Sequence, residues 1–309
     1  NGKTPDKLFY SLLYQRGTID IFSWIENNNE VVYSSKIAEV EKSGGFDIGI
    51  YPKDNTNTTA VALVNYVVPN SPAALAGLKR GDVITKVNGS PLTLNNSDLL
   101  YNNQVTVTLA ATVQLTSTGL ITTDKTSSIS ITQADIDENP IAYYEKKVYG
   151  TKNIGYLVFN AFKADYNDEL NAAFAQMKAD GINELVLDLR YNGGGSLETA
   201  VALAGMINDS YSGSPYVFLD FNNKHNSEDG FDYLSNQMNT YSLVNNIPEK
   251  SGTETINSLN LTKVYVLVNF QTASASELTV QCLKKYVNVV TIGYDTVGKF
   301  VGSITLYDS

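Results

Sequence analysis

The pattern of hydrophobic and polar positions changes twice along the chain, and each change predicts a different kind of structure. In the first 43 residues, apolar positions recur at helical spacing in two stretches, DKLFYSLLYQ and TIDIFSWIEN. Residues three and four apart share one face of a helix, so this spacing favours an amphipathic helix. The pattern therefore predicts a short helical segment over residues 1–43.

Beyond this segment, apolar and polar residues alternate, which is typical of half-buried strands. The stretch AVALVNYVV predicts one strand, and the dipeptide Asn88-Gly89 is a strong signal for a two-residue hairpin turn. Strands rich in threonine and valine follow, and Asn139-Pro140 marks a boundary because a residue before proline disfavours helix. We predict a β-rich domain over residues 44–139.

After this boundary, apolar strands alternate with amphipathic helices to the end of the chain. Fully apolar strands separated by helices indicate a sheet that is covered on both faces. We predict an α/β core over residues 140–309. Its strands are NIGYLVFNAF, INELVLDLR, KVYVLVNF and VNVVTIGY, and its helices are NDELNAAFAQMKADG, SLETAVALAGMIN and ASELTVQCLKKY.

Charge and composition exclude several classes of protein. The formal net charge of −10 argues against binding to nucleic acid or to anionic membranes, because both require a basic face. No apolar run approaches the ~20 residues that span a bilayer. The single cysteine, Cys282, excludes an intramolecular disulfide and a cysteine-rich metal site, and its place in ELTVQCLKKY favours a buried helical position. Cysteine content leaves the compartment open.

The candidate bases are few. The single histidine, His225, lies in the polar stretch NNKHNSEDG, which favours a solvated loop position and argues against a Ser-His-Asp triad or a zinc site. Lys299 differs from the other lysines because Val297, Phe300 and Val301 flank it. A lysine is a base near neutral pH only if its pKa falls by about 3 units from ~10.4. Local sequence leaves two alternatives open: a buried base, or a strand-edge lysine that reaches water.

A glycine-rich loop follows the predicted strand VLDLR. Three consecutive glycines, residues 193–195, let bare backbone approach a ligand closely and leave N–H groups to face an anion. Such a loop suits an oxyanion hole, whereas the glycine spacings of dinucleotide and P-loop sites are absent. Ser196 after the glycines is explained as a helix N-cap.

The stretch QTASASELTV places two hydroxyls directly before a helix-like run. One of its serines, Ser274 or Ser276, is a candidate nucleophile, and the alternative is a turn that caps the helix.

Taken together, LVLDLRYNGGG, TASASE and TVGK resemble, in order and spacing, the S41 family of serine peptidases, the C-terminal processing or tail-specific proteases. The resemblance implies that Ser274 is the nucleophile and that Lys299, 25 positions later, is the general base. The stretch NSPAALAGLKRGDVITKVNG resembles part of the PDZ domain that precedes the catalytic core in this family. The implied fold class is α/β, a ClpP/crotonase-like core preceded by a PDZ-like β-rich domain and a short helical N-terminal segment.

The chemistry that follows from the resemblance is peptide hydrolysis by a Ser-Lys dyad. The N–H of Ala275, with one from Gly194 or Gly195, would hold the oxyanion. Ser276 is then the serine explained by helix structure. The expected partners are protein or peptide substrates, without metal, cofactor or nucleic acid, and the sequence does not determine the oligomeric state. The resemblance also implies an exported, periplasmic or cell-envelope protein.

Several positions depart from the family pattern. The family's usual Glu and Gly around the lysine are Tyr294 and Phe300 here, and a glutamine thought to orient the lysine is Ser303. The early end at Ser309 leads us to expect a truncated core. These departures favour an alternative: a catalytically inactive protein that binds peptides through its PDZ-like domain. The implied peptide-binding loop is itself unusual, because an acid stands where glycine is expected; its residues are Phe46, Asp47, Ile48, Gly49 and Ile50.

Overall fold

The computed structural model describes residues 4–25, 41–56, 58–244 and 247–302. The chain divides into two compact units: Glu39–Ala142, and Asn1–Ala38 together with Tyr143–Ser309. The N-terminal residues therefore group with the second unit, whereas the sequence pattern treats them as a separate segment.

The α-helices of the described residues are α1 (Pro5–Leu12), α2 (Pro72–Leu75), α3 (Asn167–Ala179), α4 (Leu197–Ile207) and α5 (Ala275–Leu283). The strands are β1 (Glu41–Ser43), β2 (Phe46–Pro52), β3 (Ala60–Val67), β4 (Val83–Val87), β5 (Ser90–Pro91), β6 (Gln104–Thr116), β7 (Gly119–Thr132), β8 (Ala134–Ile136), β9 (Ile141–Tyr149), β10 (Lys152–Phe159), β11 (Glu184–Asp188), β12 (Pro215–Leu219), β13 (Gly230–Tyr233), β14 (Gln237–Val244), β15 (Ile247–Thr255), β16 (Lys263–Val268) and β17 (Asn288–Gly293).

The first unit is built on an antiparallel sheet of order β2-β3-β4-β6-β7, with β5 paired to β4 and β1 paired to β8. The turn between β4 and β5 is the hairpin predicted at Asn88-Gly89, with φ of 49° and 81° at its two central residues. Both residues lie in the left-handed region that a type I′ turn requires. The apolar side chains of alternate strand positions form the core of this unit, and β2 lies at an edge of its sheet.

The second unit is built on a sheet of order β17-β16-β11-β10-β9. Strands β10, β11, β16 and β17 are parallel, so their carboxyl ends meet at one edge. The helical positions predicted for α3, α4 and α5 are confirmed, because each of these helices buries an apolar face. In parallel sheets the loops at the carboxyl ends of the strands are the usual place for a ligand site.

Two features differ from the expectations of the sequence. Residues 21–25 form no helix, and α1 buries none of its side chains. Short apolar periodicity therefore does not produce a second helix here, because helices gain most of their stability from packing. The hairpins β12–β13 and β14–β15 were not predicted, since polar and aromatic residues interrupt their apolar alternation. No helix of the described residues is long and apolar enough to cross a membrane.

Candidate active site

Ser274 lies on a sharp turn immediately before the first residue of α5. Its backbone has φ 56° and ψ −117°, a conformation that residues with a side chain rarely adopt. Strain of this kind costs about 1–3 kcal/mol and persists only where surrounding contacts hold it. One such contact is the hydrogen bond from the Ser274 N–H to Oε2 of Glu277, at 2.8 Å.

The second serine of the turn, Ser276, is fully buried. Its Oγ donates to the backbone carbonyl of Asn192 at 3.0 Å, and the same carbonyl accepts the N–H of Ala273 at 3.1 Å. These bonds fasten the turn, residues 273–276 (the serine turn), to the loop that follows β11. The hydroxyl of Ser276 is therefore occupied by a structural bond, in agreement with the role the sequence predicts for it, while Ser274 is only half-buried.

Asn192 connects the glycine loop to the neighbouring strand. It is fully buried; its Nδ2 donates to the carbonyl of Phe159 at the end of β10 (2.8 Å), and its Oδ1 accepts the N–H of Gly194 (2.9 Å). Its carbonyl also accepts two bonds from the serine turn. Asn192 therefore connects the end of β10, the glycine loop and the start of α5. Its role was not predicted from the sequence, although a lone amide between a strand and three glycines is the signal for it.

Gly194 lies directly against the serine turn. Its φ is +104°, and a Cβ built on it would lie 2.7 Å from Cβ of Ser274 and 2.8 Å from the carbonyl oxygen of Ala273. It would also lie 2.9 Å from the N atom of Ala275. Real Cβ atoms do not approach other atoms this closely, so only glycine fits between the loop and the turn.

The two candidate glycines of the oxyanion hole differ in where their N–H groups point. The N–H of Gly194 is occupied by Asn192, and its carbonyl accepts the N–H of Phe162 at 2.9 Å. No peptide bond of the described residues is cis, so the N–H of Gly195 points away from Phe162, opposite the carbonyl of Gly194. The Gly195 N–H has no acceptor among the described residues. Of the two glycines, Gly195 is thus the one with a donor to offer.

Lys299 lies in the segment after β17, which has no regular secondary structure, and its side chain is half-buried. Its apolar neighbours along the chain, Val297, Phe300 and Val301, are 49%, 93% and 39% exposed, so they do not enclose the lysine. An aromatic neighbour comes instead from the N-terminal residues: the ring centroid of Phe22 lies 5.2 Å from Nζ of Lys299.

Glu277 brings the backbones of the two candidate catalytic residues together. Its Oε2 accepts the N–H of Ser274 at 2.8 Å and the N–H of Lys299 at 2.9 Å. The sequence analysis did not assign Glu277 a role, although Ser-x-x-Glu before an apolar helix is the capping-box spacing. One carboxylate oxygen therefore joins two residues that are far apart in the chain.

An ion pair with a buried carboxylate lies at the end of β11, just before the glycine loop. Asp188, 2% exposed at the end of β11, accepts hydrogen bonds from Nη2 of Arg190 and from the hydroxyl of Tyr156, both at 2.6 Å. Burial raises the pKa of Asp188, but the hydrogen bonds from Arg190 and Tyr156 outweigh it and hold the pKa below its usual range. Burial and the bond to Asp188 raise the pKa of Tyr156. The carboxylate is thus charged and fully partnered at the start of the loop.

The other candidate residues of the core lie elsewhere or outside the described residues. His225 is exposed in the loop between β12 and β13, with its Nδ1 2.6 Å from Oε1 of Glu228. Ser303, to which the family resemblance assigns the orienting role, lies outside the described residues. In the part of the chain that the structure describes, no three His, Cys, Asp or Glu side chains converge as a set of metal ligands.

The candidate peptide-binding loop of the first unit forms the start of edge strand β2. Asp47 is half-buried, and its Oδ2 accepts a hydrogen bond from Nδ2 of the buried Asn65 at 2.7 Å. The ladder between β2 and β3 is irregular between Asp47 and Ile48. A carboxylate is therefore held beside the first residues of this strand by a bond across the sheet.

The family model described as peptidase family S41 matches residues 153–306, and a PDZ-domain model matches residues 63–110. The chain is 31% identical over 250 residues to a protein of Staphylococcus aureus named as a CtpA-like serine protease. It is 26% identical over 246 residues to the protein of the same name from Staphylococcus haemolyticus. Both alignments cover 79% of this chain and 42% of the relative, so the chain spans less than half of these relatives.

Among solved structures, the chain resembles one of Bacteroides fragilis that is described as an S41 protease. The TM-score is 0.66 at 30% sequence identity, and the match covers 84% of this chain and 66% of that one. The fold class predicted from the sequence, a PDZ-like domain before a mixed α/β core, is confirmed.

Proposed function

Because this chain belongs to peptidase family S41, we propose that it is a serine endopeptidase that cleaves protein or peptide substrates with a Ser274–Lys299 dyad. The observation that carries the proposal is the serine turn. Ser274 sits in a strained conformation before α5, against a glycine that admits no side chain. Strained backbone of this kind clusters at active sites, where it presents a side chain in one direction.

The reaction begins with the transfer of one proton. Neutral Lys299 accepts the proton of the Ser274 hydroxyl, and the serine Oγ forms a bond to the carbonyl carbon of the scissile peptide. The tetrahedral intermediate then collapses with cleavage of the C–N bond, and Lys299 returns the proton to the departing amine. A water molecule completes the cycle: Lys299 takes one of its protons, the hydroxide attacks the acyl ester, and Ser274 leaves with the proton restored.

The negative charge of the tetrahedral oxygen needs backbone donors. The N–H of Ala275 is the first of α5, and the initial N–H groups of a helix have no partner within the helix. The second donor in this proposal is the N–H of Gly195, because the N–H of Gly194 is already bonded to Asn192. The loss of one donor of an oxyanion hole typically lowers kcat by about 100- to 1000-fold.

In this proposal, the PDZ-like unit binds extended peptides. Strand β2 lies at a sheet edge, where a peptide can add as a further strand through main-chain hydrogen bonds. The proposed docking residues are its first five, Phe46–Ile50. The proposal also includes C-terminal processing and a location outside the cytoplasm, which the family resemblance implies.

A fluorophosphonate probe tests the nucleophile directly, because it reacts only with an activated serine. We expect the unmodified protein to be labelled and Ser274→Ala to remain unlabelled. The matched control is Ser276→Ala, two residues away. It should still be labelled because its hydroxyl is not the reacting group and the N–H of Ala273 still bonds to the carbonyl of Asn192. An unlabelled wild-type protein would contradict the peptidase proposal.

The exposed aromatic residues near the lysine favour a second candidate function. Tyr294 and Phe300 stand at positions where the family pattern differs, and they are 80% and 93% exposed. An inactive protein that binds peptides through the PDZ-like unit would bind a peptide but leave the probe unreacted. The same labelling experiment therefore separates the two functions when peptide binding is measured beside it.

A further inference from the structure

The carboxylate of Glu277 accepts four hydrogen bonds, and three of them come from the segment that carries Lys299. Its Oε1 accepts the hydroxyl of Thr296 and the N–H of Gly298, both at 2.6 Å. Its Oε2 accepts the N–H of Lys299 at 2.9 Å and that of Ser274 at 2.8 Å. Two bonds to each oxygen use most of the acceptor capacity of an ionised carboxylate.

A helix cap accounts for only one of these bonds. Glu277 is the third residue of α5, and its bond to the N–H of Ser274 is the one that a capping box requires. The bonds to Thr296, Gly298 and Lys299 lie outside the helix and satisfy none of its free N–H groups. Their effect is to attach the residues around Lys299, 294–302 (the lysine segment), to the serine turn.

The lysine segment has few other attachments. It contains no helix or strand, and its remaining backbone bonds to the core among the described residues join Tyr294 to Val268 (3.2 Å) and Val297 to Thr272 (3.0 Å). Both of these lie on the N-terminal side of the lysine. Among the described residues, the backbone bond that holds Lys299 itself comes from Glu277.

We propose that Glu277 is a positioning residue that sets the Lys299 base against the Ser274 nucleophile by holding both backbones on one carboxylate. This inference rests on the proposed peptidase function. Reactions between oriented groups are sensitive to small displacements, and a misplacement of about 1 Å can lower a rate by about 100-fold.

The charge of Glu277 is essential to this role. All four partners are donors, so they fit an acceptor-only group. An amide at this position places an NH₂ group where one oxygen stood, and this group cannot accept either the N–H of Gly298 or, in the other orientation, the N–H groups of Ser274 and Lys299. Glu277→Gln therefore keeps the size of the side chain and loses one or two of its attachments.

The test measures cleavage of fluorogenic casein by the full chain and its variants. We expect Glu277→Gln to lower kcat by about 100-fold while KM stays within about threefold, because the base is displaced and the docking surface is unchanged. Thr296→Val removes a single bond on Oε1 and leaves the helix cap intact. It should lower kcat by about tenfold, with the thermal midpoint of the wild type.

The control for a general loss of stability is Thr199→Val. This substitution removes the buried hydrogen bond from Thr199 in α4 to Asn167 in α3 (2.9 Å) and touches no part of the lysine segment. Its kcat should equal that of the wild type. Circular dichroism verifies that each variant is folded, and Thr296→Val carries the test if Glu277→Gln does not fold.

Failure of this inference is distinguishable from failure of the proposed function. If fluorophosphonate labels the wild type but Glu277→Gln and Thr296→Val keep the kcat of Thr199→Val, the positioning role is refuted and the peptidase function stands. A rise in KM at constant kcat refutes the role equally. If the wild type neither reacts with the probe nor cleaves casein, the peptidase function itself is refuted.

Discussion

Gly194 and Ser274 approach each other so closely that a Cβ on the glycine would lie 2.7 Å from Cβ of the serine. This contact joins the loop after β11 to the turn before α5, and these two elements come from separate parts of the chain. Because the backbone of Gly194 has a φ of +104°, a side chain there is disfavoured by conformation as well as by space.

The first prediction follows from that contact. Gly194→Ala should lower peptidase activity by at least about 100-fold, because the added methyl group displaces the serine turn. Stability should fall by about 1–3 kcal/mol from overpacking. Gly193→Ala is the matched control, since a Cβ on Gly193 meets no atom within 4 Å. Equal casein cleavage by the two variants would contradict the interpretation of the contact.

The second prediction concerns the base. Lys299→Ala should lower turnover by about 100- to 10,000-fold, the usual range for loss of a general base, while peptide binding persists. Lys299→Arg should be equally inactive, because a guanidinium does not release its proton at working pH. Steady-state cleavage and calorimetric binding of one peptide measure the two effects. An active Lys299→Arg variant would refute the general-base role.

The third prediction concerns histidine and metals. His225 is exposed and pairs with Glu228 in a loop, so His225→Ala should change activity by less than about twofold, as surface substitutions usually do. Cleavage should also persist in EDTA. The measurement is casein hydrolysis before and after each treatment. Loss of activity in either case would show that the dyad mechanism is incomplete.

The fourth prediction concerns the docking strand. A charged Asp47 beside the start of β2 repels a substrate carboxylate, so a peptide with a free C-terminus should bind less than about tenfold more tightly than its amide. Docking then depends on apolar side chains and strand addition. Calorimetric titration of both peptide forms measures the preference.

Two variants of Asp47 serve as controls for this preference. Asp47→Asn keeps the shape and the contact to Asn65 without the charge, and Asp47→Gly restores the residue that the family pattern suggests. Both should bind the free acid better than the wild type does. A wild-type preference of tenfold or more for the free acid would contradict the prediction.

The fifth prediction concerns pH. Hydrogen bonds hold the pKa of Asp188 below its usual range. In the pH range between the folded and unfolded pKa values, this carboxylate therefore binds fewer protons in the folded state than in the unfolded state. The stability that Asp188 contributes is therefore complete above the unfolded pKa of ~3.9 and is lost as pH falls further. Urea unfolding of wild type and Asp188→Asn should differ clearly at pH 7, and the difference should shrink below about pH 4.

The control for this pH effect is an exposed ion pair of the same unit. Glu145→Gln removes the pair with Lys147, whose side chains are 39% and 60% exposed. Solvent screens such pairs, so this variant should unfold much like the wild type at every pH. A pH-independent difference between wild type and Asp188→Asn would refute the assignment.

Much of the fold was predictable because local patterns and packing agree. The apolar strand ELVLD and the amphipathic helix after Asn167 keep their predicted types, since each buries the face that its periodicity marks. The turn at Asn88-Gly89 has the predicted geometry because its residues tolerate a positive φ. The stretch around Trp24 differs because residues 21–25 form no helix: Trp24 is 58% exposed, so it gains little of the packing that stabilises a helix.

The sequence by itself determined the fold class and the short motifs that nominate Ser274, Lys299 and the glycine loop, because spacing along a chain specifies local conformation. Only the tertiary structure decided how these motifs meet. It showed that the N–H of Gly194 donates to Asn192, that the residues around Lys299 are exposed, and that the carboxylate of Glu277 accepts the N–H groups of both Ser274 and Lys299. The bond from Lys299 to Glu277 joins segments 22 positions apart in the chain, so no local pattern encodes it.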